Sequence, residues 1–221
     1  VQPLLPLNPV IIECGGFDGR DTVLMASRWP KGKIYTFEPV PLLFKRIVKR
    51  THRIPNIKAY PLALADKTGK MIFFLSDYNN SGNPSGSSSL LPPKDHKEFD
   101  QKVTFNGQIE VDAMTLDDWA AQEHVDHIDF MWLDMQGYEL NMLKASKLAK
   151  KVKVIYLEVI FIEAYKGQPI YADIKKWMKE NGFELIALDF NEDIALLGNS
   201  VIKPGSNFPY YGNAVFLNKN I

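Results

Sequence analysis

From Val10 to Leu64 the apolar pattern changes period repeatedly, and this alternation limits the folds open to the chain. Val10-Ile11-Ile12 is a β-branched run entering Glu13-Cys14-Gly15-Gly16, which reads as a buried strand running into a glycine turn. Asp21 to Trp29 has helical spacing and an acidic start, closed by Pro30-Lys31-Gly32. Lys33 to Glu38 reads as a second strand, ended by Pro39 and Pro41. Leu42 to His52 reads as an amphipathic helix and Ile57 to Leu64 as a third strand. Strand, helix, strand, helix, strand is the order of a parallel α/β sheet.

The turn Glu13-x-Gly15-Gly16-x-x-Gly19 sits where the first strand passes into the first helix. Glycines there let the backbone adopt positive φ and approach a ligand, and the following helix start presents N–H groups. Alone the motif is also compatible with a simple turn. Glu38 sharpens it, because an acid closing the second strand is placed to accept hydrogen bonds from ribose hydroxyls. Together they point to a nucleoside-bearing cofactor. The dinucleotide fingerprint G-x-G-x-x-G fails, since Phe17 stands where its second glycine belongs, and the chain has no G-x-x-x-x-G-K-[ST]. An acid two residues before the first glycine is instead typical of S-adenosylmethionine (SAM) sites.

After residue 66 the pattern changes. Met71 to Leu75 reads as a strand, expected to be antiparallel, and Asn79 to Ser89 contains only Asn, Ser, Gly and Pro. Such a stretch serves as a flexible linker or as a lid. Because a strand at Gln108 to Asp112 resumes soon after, the lid is the favoured reading, as an insertion at about 66–112 within a single domain spanning 1–221. Thr115 then reads as a helix cap, with a helix to about His124. Strands are expected at Ile128–Met135, Lys153–Phe161, Phe183–Asp189 and Asn213–Leu217, with helices at Tyr138–Lys147 and Tyr171–Asn181.

Two acids stand out on the second half of the sheet. Asp134 follows Phe130-Met131-Trp132-Leu133 and precedes Gly137, at the carboxyl end of a strand, where ligands of open α/β sheets bind. Glu158 interrupts the apolar run Val154 to Ile162, so it must be paired, hydrogen-bonded or protonated. Structural and functional roles stand even for Glu158, function is favoured for Asp134, and Glu139 reads as a helix cap or ion-pair partner.

The strings IIECGGFDGRDT, FEP at Phe37 to Pro39, ALAD at Ala63 to Asp66, SGSSSL at Ser85 to Leu90, TLDD at Thr115 to Asp118 and DFMWLDMQGYELNMLK at Asp129 to Lys144 resemble the FkbM-type SAM-dependent methyltransferases, in that family's order. The resemblance spans roughly residues 10 to 217. It implies a class I methyltransferase (Rossmann-like) fold, an α/β seven-stranded sheet of order 3-2-1-4-5-7-6 with strand seven antiparallel and helices on both faces. It places Gly15, Gly16, Asp18 and Gly19 around the methionine portion of SAM, Glu38 on the ribose and Ala63-Leu64 near the adenine. Glu13, Phe17, Pro39, Ser89, Asp134 and Met135, inside the same strings, complete the expected donor-binding set. The family often has Asp at the position of Glu13 and Asn at that of Phe17. Its frequent Val-Glu-Gly reads Met135-Gln136-Gly137 here, one negative charge fewer beside the expected active site.

The implied reaction is direct displacement of the sulfonium methyl by an acceptor oxygen, leaving S-adenosylhomocysteine. Asp134 is the expected general base and Glu158 its assistant. An alternative uses the two carboxylates as Mg²⁺ ligands, which nothing in the sequence demands. His52, His96, His124 and His127 lack metal spacing, so no metal site is expected. Two other readings compete: a nucleoside- or SAM-binding module without catalysis, and an NAD-dependent oxidoreductase. For the latter, Tyr171 and Lys175 match a Tyr-x-x-x-Lys spacing, but the preceding strand lacks the accompanying serine.

Composition bounds the partners. Lys plus Arg and Asp plus Glu are each 26, so the formal net charge is zero. Nucleic acid and long anionic polymers are disfavoured as partners, and the expected acceptor is a small molecule, sugar or glycan hydroxyl. No apolar run is long enough to span a bilayer, and the single cysteine, Cys14, excludes an internal disulfide. A cytoplasmic enzyme is expected, with homo-oligomerisation left open. The chain begins at Val1 rather than Met, which reads as processing or trimming. Acceptor recognition is expected from loops around 76–107, 163–170 and 205–212.

Overall fold

The computed structural model describes residues 1–94, 101–189 and 211–221. The expected sites at His96, in part of the 76–107 loop, and at Tyr210 within the 205–212 loop lie outside these residues. The large sheet contains β1 (Val10–Cys14), β2 (Lys33–Phe37), β3 (Ile57–Tyr60), β7 (Phe130–Leu133), β8 (Val154–Ile160), β9 (Phe183–Leu188) and β10 (Tyr211–Asn218). Its spatial order is β3-β2-β1-β7-β8-β10-β9. Counted along the chain within this sheet, that is 3-2-1-4-5-7-6. The last strand, β10, is antiparallel to both of its neighbours, and the other pairings are parallel.

Alternation of side chains along each strand feeds two separate layers. Ile12 and Cys14 of β1, Met131 and Leu133 of β7, and Ile155, Leu157 and Val159 of β8 point to one face. There they meet α3 (Leu116–Glu123), α4 (Glu139–Lys144) and α5 (Tyr171–Glu180) through Trp119, Leu140, Met142, Leu143, Ile174 and Met178. Ile11, Phe130 and Val154 point to the other face and pack on Met25 and Ala26 of α1 (Arg20–Arg28) and on Trp29, its C-cap. Beside α1 lies α2 (Pro41–Thr51), with Pro41 in its first turn, where a missing N–H costs nothing.

The sequence reading joined Ile57 to Leu64 into one strand. The chain instead breaks at Pro61, and β4 (Ala63–Leu64) leaves the large sheet for a small one, of order β4-β6-β5. Proline offers no ladder N–H and forces the break. The other two strands are β5 (Gly69–Tyr78) and β6 (Val103–Met114), an antiparallel pair longer than expected on both sides. The segment between them folds back on β5 through bridges Phe74–Ser89 and Asp77–Pro84. Phe73, Leu90, Val111 and Ala113 then pack this sheet on Val40, Leu43 and Tyr138.

Local signals hold the joints. Thr115 Oγ1 accepts from Asp118 N at 3.1 Å, the expected cap of α3. Asp117 binds the turn after α4, accepting from Lys147 N at 2.9 Å and Leu148 N at 3.1 Å as well as from the Ser146 hydroxyl. α4 ends at Lys144, short of the expected Lys147, because these bonds draw the following backbone into a turn.

Gly15, with φ +85°, shows why the first turn is glycine-rich: a Cβ there would lie 2.0 Å from the Asp134 carbonyl oxygen. β1 and β7 part from one another at this point. Gly15→Ala should therefore cost at least about 2 kcal/mol of folding stability in urea denaturation. Gly107→Ala, with nothing within 4 Å of its Cβ, should stay within about 0.5 kcal/mol.

Candidate active site

The sheet reverses its order between β1 and β7, and a cleft opens at the carboxyl ends of those two strands. It encloses about 970 Å³ of empty space, its open mouth included. Glu13, Gly15, Gly16, Phe17, Asp18, Glu38, Pro39, Ala63, Leu64, Asp134 and Met135 line it, all expected from the sequence. Asp21, Phe73, Ser85, Gly86, Ser88, Leu90, Trp132 and Tyr138 line it as well and were not singled out. The serines belong to the Asn/Ser/Gly stretch read as a lid and to the Ser85–Leu90 string of the resemblance, and these signals pointed toward them.

Three expected residues stand outside the lining. Gly19 packs helices: a Cβ on it would come 3.2 Å from Ile47 Cα of α2. Ser89 is fully buried. Its hydroxyl donates to the Gln136 carbonyl at 2.8 Å and accepts from Leu91 N at 3.0 Å, so it fastens two segments together. Glu158 sits behind the lining, reached through Gln136.

Each buried acid is satisfied by uncharged donors. Glu38 takes Phe17 N on Oε2 at 3.0 Å and Val40 N on Oε1 at 2.9 Å. Phe17 holds φ +48°, a costly conformation for a bulky residue, and it aims that N–H. Glu13 Oε2 accepts from the Thr22 hydroxyl at 2.5 Å. Glu139 Oε1 accepts from Met135 N at 2.7 Å and Gly137 N at 3.3 Å, so it ties the turn before α4 and does not cap the helix itself. Asp134 and Glu158 share one donor group, Gln136 Nε2, at 2.9 Å from each.

Among the described residues no Lys, Arg or His lines the cleft. Arg20 and Arg50 bind Asp18 from outside the lining, and Lys58 binds Glu123. Burial therefore dominates, raising Glu13, Glu38 and Glu139 each to about 7. Asp134 is raised by burial, against the opposing Gln136 bond. Glu158 is raised much further by burial and by the charges of Asp134 and Glu139.

Asp134 and Glu158 do not fit a magnesium site. An amide nitrogen, a donor, occupies the space between them, and no metal-binding group of three acids, histidines or cysteines gathers among the described residues. The Tyr171–Lys175 spacing leads nowhere catalytic, for Tyr171 is buried in the helical layer with its ring 5.5 Å from Phe161.

A sheet of this order with one antiparallel strand, and a glycine turn and strand-end acid at its switch point, defines a class I SAM-dependent methyltransferase. The chain belongs to the FkbM methyltransferase family, whose domain matches residues 13–185. The 2-O-methyltransferase NoeI of Sinorhizobium fredii (strain NBRC 101917 / NGR234) is 32% identical over 165 residues, covering 73% of this chain and 67% of that protein. Methyltransferase sdnD of Sordaria araneosa is 22% identical over 204 residues, covering 82% and 76%. Among solved structures, fibrillarin in its complex with Nop5p shares the fold, with a TM-score of 0.50 at 13% identity, covering 97% of this chain and 74% of that one. S-adenosyl-L-methionine is the methyl donor of this enzyme class. No helix among the described residues is long and apolar enough to cross a membrane.

The raised acids set the pH dependence of folding. A folded-state value near 7 against 4.5 unfolded means that the folded chain keeps protons the unfolded chain gives up. That stability is complete below about pH 4.5 and drains as pH rises through 7. The acids held low, such as Asp117 and Glu163, act in the opposite sense but only below the ordinary carboxylate range. The donor-free protein should therefore melt at a lower temperature at pH 8 than at pH 5.5. Glu139→Gln, which keeps an acceptor for both N–H groups, should flatten that slope in calorimetric scans; a steeper slope would contradict the assignment.

Proposed function

We propose that the enzyme transfers the SAM methyl group to a hydroxyl of a small molecule, sugar or glycan, with Asp134 as the general base. The observation that carries this reading is a cleft lined by Glu13, Asp18, Asp21, Glu38 and Asp134 and, among the described residues, by no basic side chain. A donor with a sulfonium and an ammonium group suits such a lining. The pyrophosphate of a dinucleotide would meet repulsion, which disfavours the oxidoreductase alternative. The 2-O-methyltransferase activity in the name of NoeI supports oxygen as the acceptor atom.

Bound SAM supplies a methyl group already activated for displacement. The chain's own work is to hold and orient. Glu38 has a free lone pair on each oxygen beyond its two backbone bonds, enough to accept both ribose hydroxyls. Gly15, Gly16 and Asp18 surround the methionine end, where Arg50 braces Asp18 through its carbonyl at 2.8 Å and its carboxylate at 3.3 Å. Ala63, Leu64 and Pro39 offer an apolar wall for adenine, and Phe17 and Met135 flank the donor. Asp134 is exposed and lines the cleft, so an acceptor hydroxyl can reach it and lose its proton as the oxygen attacks. The segment with Ser85, Gly86, Ser88 and Leu90 covers the cleft as a lid within one domain spanning 1–221.

Isothermal calorimetry should show binding of SAM and S-adenosylhomocysteine and none of NAD. Asp134→Asn should retain donor binding and lose about 10²- to 10⁴-fold in kcat against a panel of glycosides and small alcohols. Binding of NAD in place of either sulfur compound would overturn the function. Unimpaired transfer by Asp134→Asn would overturn the base.

A further inference from the structure

We propose that Gln136 is a positioning residue for the acceptor-activating carboxylate: its carboxamide, aimed by Tyr165 and Ser89, holds Asp134 toward the cleft and ties it to Glu158. This rests on the reading of Asp134 as the base and names the device that presents it.

Four bonds converge on Gln136. Its Nε2 donates to Asp134 Oδ1 and to Glu158 Oε2, each at 2.9 Å. Its Oε1 accepts from the Tyr165 hydroxyl at 2.9 Å. Its carbonyl accepts from the Ser89 hydroxyl at 2.8 Å. This orientation of the amide is favoured, because the opposite one would turn its oxygen onto two acids.

The backbone carries a cost for this arrangement. Gln136 has φ +52°, in the left-handed region that a non-glycine residue rarely occupies. Gly137 follows at φ +91°, with Tyr165 and Gln168 packed where its Cβ would be. A reversal this tight puts the Gln136 side chain back over the ends of β7 and β8, between the two acids.

Among the described residues no cation replaces the amide. The ionisable groups facing Asp134 are Asp21 from α1, Glu13 and Glu38 from the first two strands, Glu139 from α4, and Glu158 and Tyr156 from β8. Tyr165 faces it from the loop after β8. All are acids or phenols, so the two N–H groups of Gln136 are the stabilisation that Asp134 and Glu158 share. Tyr165 also donates to the Ser87 carbonyl at 2.8 Å, its one hydrogen divided between that oxygen and Gln136. The serine-rich segment that roofs the cleft thus holds the bridge at two points, Ser87 and Ser89, and the roof and the base are built as one unit.

The test is a carbon-13 NMR titration of protein labelled at the aspartate carboxyl carbon, with the Asp134 signal assigned by its loss in Asp134→Asn. It needs neither donor nor acceptor. Gln136→Glu keeps the shape, removes the paired donors and adds a charge, so the Asp134 midpoint should rise by about one pH unit or more. Gln136→Leu should raise it by less, and Tyr165→Phe by a few tenths, while Asp117 stays fixed in all three. A residue that merely supports the fold would alter melting and leave the Asp134 titration in place. An unchanged or lowered midpoint in folded Gln136→Glu overturns the proposal, and that variant suffices if Gln136→Leu does not fold. Failure of SAM to bind by calorimetry would instead strike the functional reading while the titration still reports the bridge.

Discussion

Burying negative charge without positive charge is the constraint around which this site is built. Glu13, Glu38 and Glu139 are almost wholly inside the protein, and no ion pair among the described residues reaches them. Their compensation comes from hydroxyls and backbone N–H groups. Those donors exist only because the chain turns where it does. Phe17 and Gln136 both take left-handed backbone, one aiming its amide at Glu38 and the other its side chain at Asp134 and Glu158. Strain in the two loops and satisfaction of the acids are two sides of one arrangement.

A lysine or arginine in the same place would stabilise the acids more strongly in the empty protein. It would also repel a sulfonium donor and occupy the volume the donor needs. Neutral donors leave the field negative and the cleft open. They also leave the acids with raised proton affinity, so the donor-free site is partly neutral near pH 7. A cationic ligand then favours the ionised forms, and its binding releases protons.

The architecture was legible because it follows from periodicity. The strand order and the helices on both faces came from the resemblance, and the alternation of β-branched runs with 3.6-period stretches already pointed to a parallel α/β sheet. The break at Pro61 was visible as a residue but not as an event, since a proline ends a strand without saying where the chain goes next. Leu64 looked like the end of β3 and instead begins a second sheet. Glu13, the glycines and Glu38 were legible because strand ends and turns carry positional meaning. Ser89 was not. A serine in a Ser-rich run has no periodicity to say whether it faces a ligand or a neighbour, and here it bonds the Gln136 backbone. Trp132 and Asp21 were missed for a related reason: each reads as an ordinary strand or helix residue until β1, β7 and α1 are assembled.

Gln136 shows how far a local reading misleads when charge is counted residue by residue. Taken alone it is an acid's place filled by a neutral residue, which suggests a weakened site. In place it stands between two carboxylates with Glu139 close by. A fourth carboxylate there would find no cation among the described residues and would raise the proton affinity of the other three. An amide of nearly the same shape turns the repulsion between Asp134 and Glu158 into two hydrogen bonds. The missing charge then spares the remaining acids a further rise in proton affinity. Catalytic capacity in this site depends on the sum of its charges and on where each donor is anchored, and the anchor of Gln136 lies in Tyr165 and Ser89, 29 and 47 residues away in the chain.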